Sequence, residues 1–144
     1  MAVGLVDRIN EVLSAHLDRL RNRPFLDAAM AAAALVARAD GEVTFAARSR
    51  VDAVLESVAQ LQLYDPHDAV DRFNDFADAI AEDPEGGREQ ALTTIRPFAG
   101  AEEAGAIMRI AEAIATADGD RPDAGSDAIA AIAAALGAEG TKPT

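Results

Sequence analysis

The chain has no cysteine, no tryptophan, one tyrosine and two histidines in 144 residues. Without thiols, disulfide frameworks, iron–sulfur ligation and cysteine nucleophiles are excluded, and with only His16 and His67 a metal site built on paired imidazoles is not expected. No stretch reaches the roughly 18 consecutive apolar residues of a membrane span, and the N-terminus lacks the basic region and apolar core of a secretory signal. A soluble protein suited to a reducing cytoplasm is the expectation. Cations are scarce as well: 13 Lys and Arg stand against 25 Asp and Glu, a formal charge of −12. That field repels phosphate backbones, and no local basic patch is large enough to overcome it, so nucleic acid is not an expected partner.

Alanine fills the space these absences leave. It is about one residue in four and costs less than any other residue to place in a helix, while β-branched and aromatic residues are few. The expectation is an all-α fold: one compact bundle of about seven helices in a single domain covering residues 1–144. The first helix, about Val3 to Leu20, carries Leu5, Ile9, Val12, Leu13, Leu17 and Leu20 on one side. From Met1 to Arg23 four Arg stand against Asp7, Glu11 and Asp18, so this end is +1 and the remainder −13. Such a stripe is read first as an ordinary bundle helix. The alternative is a basic amphipathic face, with Arg19, Arg21 and Arg23 offered to a membrane or a partner.

A second helix, about Phe25 to Ala39, stops at Asp40-Gly41 because Gly accepts left-handed dihedrals. Thr44 caps a third, carrying Val51, Val54, Leu55, Val58 and Leu61. Asp65-Pro66 opens a fourth with Val70, Phe73, Ala77 and Ile80 inward and Asp71, Asp75, Asp78 and Glu82 on a solvated face. Residues 82–87, Glu-Asp-Pro-Glu-Gly-Gly, read as a loop. A fifth helix follows to about Pro97, a sixth from about Ala101 to Ala117, and a seventh from about Asp123 to Leu136, leaving residues 138–144 as a tail.

An offset of 78 residues superposes two copies of one unit within residues 24–137. Met30, Ala33, Val36, Ala37, Asp40, Gly41 and Glu42 fall on Met108, Ala111, Ile114, Ala115, Asp118, Gly119 and Asp120. Val51, Ala53 and Val54 fall on Ile129, Ala131 and Ile132. This reads as a duplicated helix, Asp-Gly-acid turn and helix about a pseudo-twofold axis; two copies are too few for a solenoid. Neither turn is an EF-hand loop. The twelfth position is Val51 in one and Ile129 in the other, where a bidentate Glu is required, and Gly comes second. One turn offers two carboxylates, whereas a hard cation takes six or more oxygens. A cation site therefore needs both turns to converge, or to recruit Asp83 and Glu85; the simpler reading is a helix stop with an acid ahead of the next helix. No phosphate-binding loop is present, since Gly86-Gly87 lacks the following Lys and Ser or Thr.

Arg21 to Phe25, the Ala-Asp-Gly-Glu turn at Ala39 to Glu42, Leu63-Tyr64-Asp65, Phe73-Asn74, the acidic stretch Asp83 to Gly87 and the Ala-Asp-Gly-Asp turn at Ala117 to Asp120 recur together. In their order and spacing the chain resembles the tellurite-resistance TerB family from the first helix to Leu136. The resemblance implies a pseudo-symmetric bundle whose acids cluster to bind a divalent metal such as calcium, with that role carried onto Asp40, Glu42, Asp118 and Asp120, and more weakly onto Asp83 and Glu85. It also implies a non-enzymatic bacterial cytoplasmic protein of stress resistance, working partly at the inner membrane face with an integral membrane partner. One departure stands out: where the family often has acids opening the next helix, this chain has Phe45, Ala46 and Ala47 in the first copy and Ala124 and Gly125 in the second. The competing expectations are a metal-independent helical interaction module and a hydrolase using paired carboxylates, which requires an apolar cleft around one acid of raised pKa.

Overall fold

A computed structural model of the chain describes residues 2–39, 41–117 and 123–137. Among them are six α-helices and two 3-10 segments, with no strand: α1 (Ala2–Ala37), α2 (Phe45–Ser57), a 3-10 segment (Ala59–Leu63), α3 (Pro66–Glu82), α4 (Pro84–Ile95), a second 3-10 segment (Arg96–Phe98), α5 (Glu103–Ala115) and α6 (Asp123–Ala135). The all-α bundle matches the composition. Its boundaries differ in two informative places.

The first and second expected helices are one helix, α1, which runs through Pro24. Proline inside a helix removes one amide donor and costs about 3 kcal/mol. Pro24 is exposed, so water can take the place of the missing donor. The second difference is at residues 83–87, expected as a loop. Asp83 caps α4 by accepting from the Gly86 amide at 3.1 Å, and Pro84 takes the first helical position. Gly87 is buried against α3, where an added Cβ would lie 2.6 Å from the Ala79 carbonyl and the Ile80 Cα. The two glycines thus belong to a tight junction between α3 and α4.

The C-terminal half of α1 is the axis of the bundle. From Phe25 to Ala37 its residues other than Asp27 are buried, and residues 28–34 have no exposure at all. A helix that is apolar all round must be covered all round, and α3, α4, α5 and α6 all pack on it. Small side chains let those helices approach closely, with Phe25, Met30, Phe73, Ile95, Ile107 and Ile132 filling the gaps. The Asp71, Asp75, Asp78 and Glu82 face of α3 is exposed as its spacing implied.

The element boundaries repeat at the sequence offset. From the end of α1 at Ala37 to that of α5 at Ala115, and from the start of α2 at Phe45 to that of α6 at Asp123, the step is 78 residues. The helix ends close alike: Ala39 N donates to Val36 O and Ala117 N to Ile114 O, both at 3.2 Å. The two second helices pack differently: α2 lies on α5 and α3, while α6 lies on α5 as well as on α1 and α4. The segment after Gly137 lies outside the described residues.

Candidate functional site

The first acidic turn is held firmly. Gly41 has φ +118°, a conformation that side chains with a Cβ rarely adopt. Arg38 ties the turn to α3: its Nη1 donates to the Gly41 carbonyl at 3.1 Å and its Nε to the Ala77 carbonyl at 3.1 Å, with Asp78 at 3.9 Å. Thr44 Oγ1 accepts from the Ala47 amide at 3.0 Å and starts α2. Glu42, between these fixed points, is exposed.

The ends of the helices that flank the acidic segments meet. Leu35 and Ala39 at the end of α1, Arg88 on α4, and Asp127 and Ala131 on α6 line one cavity of about 260 Å³. Arg50, in the second turn of α2, donates from Nη1 to the Ala113 carbonyl near the end of α5 at 2.9 Å. Helix α3 runs in the same sense as α1, since Arg72 Nε meets Asp27 Oδ1 at 2.9 Å and Arg38 meets Ala77 further along both. The C-terminal ends of α1, α3 and α5 and the N-terminal turns of α2, α4 and α6 therefore lie toward one end of the bundle.

Of the six acids proposed from sequence, Glu42, Asp83 and Glu85 are exposed, with Asp83 also serving as the cap of α4. Asp40, Asp118 and Asp120 lie outside the described residues. Among the described residues, no three candidate ligand side chains gather into a metal-binding group. Of the basic residues, Arg23 is exposed and pairs with Asp27 at 3.6 Å; the side chains of Arg19 and Arg21 lie outside the described set.

The amphipathic stripe differs from its first reading. Ile9, Val12 and Leu13 are 49%, 67% and 53% exposed, so this part of α1 stands clear of the bundle rather than packing into it. Its core-type spacing is real, but the covering partner that such a stripe presupposes is not found within the described chain. The clearest electrostatic perturbation lies elsewhere. Arg96 donates to Glu89 at 2.7 and 3.3 Å, and this hydrogen bond, with the charge of the guanidinium, holds the Glu89 carboxyl below the usual carboxylate range.

A family model described as tellurite resistance protein TerB matches residues 26–142. The chain belongs to the TerB family. The matched span opens beside Phe25, at the start of the buried run in the C-terminal half of α1, and takes in both helix–turn–helix units. No curated protein and no solved structure gives a match. No helix among the described residues is long and apolar enough to cross a membrane.

Proposed function

We propose that this TerB-family chain is a non-enzymatic tellurite-resistance-type protein of the bacterial cytoplasm. It takes up a divalent cation, calcium ahead of magnesium or manganese, at the acidic end of its bundle and docks to a membrane-associated partner. Asp40, Glu42, Asp118 and Asp120 would hold the ion, with Asp83 and Glu85 beside them. The observation that carries this reading is the meeting of α1, α4 and α6 around one cavity, with the flanks of all three acidic segments at the same end of the bundle. The donor set fits a hard ion, because each of these side chains offers oxygen and none offers sulfur or imidazole. The bound cation would neutralise carboxylates that otherwise repel one another. Asp83 keeps Oδ1 on the Gly86 amide, so its part is to hold the start of α4 in place beside the ion.

Binding to the native state alone stabilises by about 2.7 kcal/mol at a hundredfold excess over Kd, which raises the melting temperature by several degrees. Millimolar calcium should do this beyond matched ionic strength, and Asp40→Asn and Asp118→Asn should each remove most of the shift. If calcium moves the melting temperature no further than salt does, the cation reading fails. The metal-independent interaction module then stands, favoured by the exposed Ile9, Val12 and Leu13 on α1. The docking arm of the proposal uses the first turns of α1 with Arg19, Arg21 and Arg23. Its partner would be an integral membrane tellurite-resistance protein, with peripheral contact to anionic lipid; vesicle binding that weakens with salt and on replacing the three Arg by Ser supports the lipid contact.

A further inference from the structure

The duplication creates two related clefts, and only one of them carries uncompensated positive charge. In the α1–α6 cleft described above, Leu35, Ala128 and Ala131 take the positions that Ala113, Arg50 and Ala53 take in a cleft between α5 and α2. The α1–α6 cleft brings its own counter-charge, Arg88 with Asp127. The α2–α5 cleft is larger, about 530 Å³, within the range of about 300–1,000 Å³ typical of small-molecule sites. Val54, Val58 and Ile110 give it an apolar floor, and among the described residues Arg50 and Arg109 are the only charged ones that line it.

Both arginines depart from the repeat. At the 78-residue offset Arg50 stands against Ala128, which lines the α1–α6 cleft, and Arg109 against Ala31, which is buried in the core. Arg50 uses Nη1 on the Ala113 carbonyl, which leaves further donors of its five-donor fork. Arg109 has no ion pair or hydrogen-bond partner among the described residues. With nearly twice as many acids as bases in the chain, an arginine left unpaired beside an apolar groove is unusual in its own right.

We propose that the α2–α5 groove binds an amphiphilic carboxylate, with the acyl chain on Val54, Val58 and Ile110 and the carboxylate held by Arg109 and Arg50. The planar guanidinium matches a carboxylate with paired donors, and the apolar floor gains by covering a chain that water would otherwise surround. An inorganic anion would leave that floor wet, and an uncharged alcohol would leave the cations unmatched. The site shares no residue with the proposed cation ligands, so it stands or falls independently of them.

The test is titration of the full chain with dodecanoate below its micelle-forming concentration, followed by calorimetry and by amide chemical shifts. Saturable one-to-one binding is expected, with shifts at α2 and α5. Arg109→Gln should weaken it by about tenfold, the order of one partly exposed charge-assisted contact, while Ala53→Phe, which fills the groove from an exposed position, should abolish it with the helical circular dichroism unchanged. Dodecanol binding as tightly as dodecanoate, or acetate competing as well, would overturn the proposal. So would shifts confined to the exposed stripe of α1, or capture of an acidic helical peptide with no response to dodecanoate.

Discussion

Gly87 to Ala is the substitution whose sign the structure sets against local expectation. In an exposed helix interior, replacing Gly by Ala stabilises by about 1 kcal/mol. Here the new methyl would stand 2.6 Å from the Ala79 carbonyl carbon and oxygen and from the Ile80 Cα, against an ordinary carbon contact of about 3.5–4.0 Å. These are backbone atoms, so no rotamer change relieves the clash, and α3 and α4 must part by about 1 Å. Overpacking of this kind costs about 1–3 kcal/mol beyond any helix gain, which for a chain of this length lowers the melting temperature by about 3–10 °C. Gly105 to Ala is the control. Its nearest neighbour is Arg109 Nη1 at 3.5 Å, an ordinary contact at the end of a flexible side chain, so that variant should melt a few degrees higher than the parent. Thermal denaturation followed by circular dichroism at 222 nm measures both. A Gly87→Ala protein as stable as Gly105→Ala would mean that the close approach of α3 and α4 does not exist in solution.

Two further outcomes follow from the same geometry. Val12→Ser should change stability by no more than about 0.5 kcal/mol, because the side chain is already two-thirds exposed; a large loss would show that the stripe on α1 is covered in solution. Arg96→Gln should raise the Glu89 pKa toward 4.5, as followed by NMR titration of the carboxyl carbon. Because the folded-state value is depressed, the stability this pair adds is present above the unfolded value and is lost as pH falls through the folded one. The exposure of both groups keeps that effect small.

What could be read from the sequence divides along a physical line. Helix ends governed by their own few residues were legible: Gly41 as a stop, Thr44 and Asp65 as caps, Pro66 at a first turn. The duplication was legible because each copy is itself a local unit. The break expected between Leu20 and Phe25, around Pro24, and the loop expected at Gly86-Gly87 misled for the complementary reason. Whether proline breaks a helix depends on where the freed carbonyl faces, and whether glycine marks a loop depends on which backbone lies behind it, and neither is a local property. The acidic candidates could be named from the turns that carry them, but whether the flanks of those turns share one end of the bundle depends on how α1, α4 and α6 meet, which is not a local property. The groove arginines carried a signal that periodicity does not report: they are positions where one repeat has Arg and the other Ala.

The unbroken run of fully buried residues from Ala28 to Ala34 in the C-terminal half of α1 inverts the usual hierarchy of vulnerability. In most cores the damaging substitutions are those that remove atoms, since each missing methylene leaves a void. Here six of the seven side chains are single methyl groups, and truncation has almost nothing to remove except at Met30. What the axis cannot tolerate is growth. Ala→Val or Ala→Leu at any of these six positions must push apart helices that converge on α1 from several sides. A library of random variants selected for folding should therefore be depleted of larger apolar residues along this stretch, the class of substitution that an ordinary core accepts most readily.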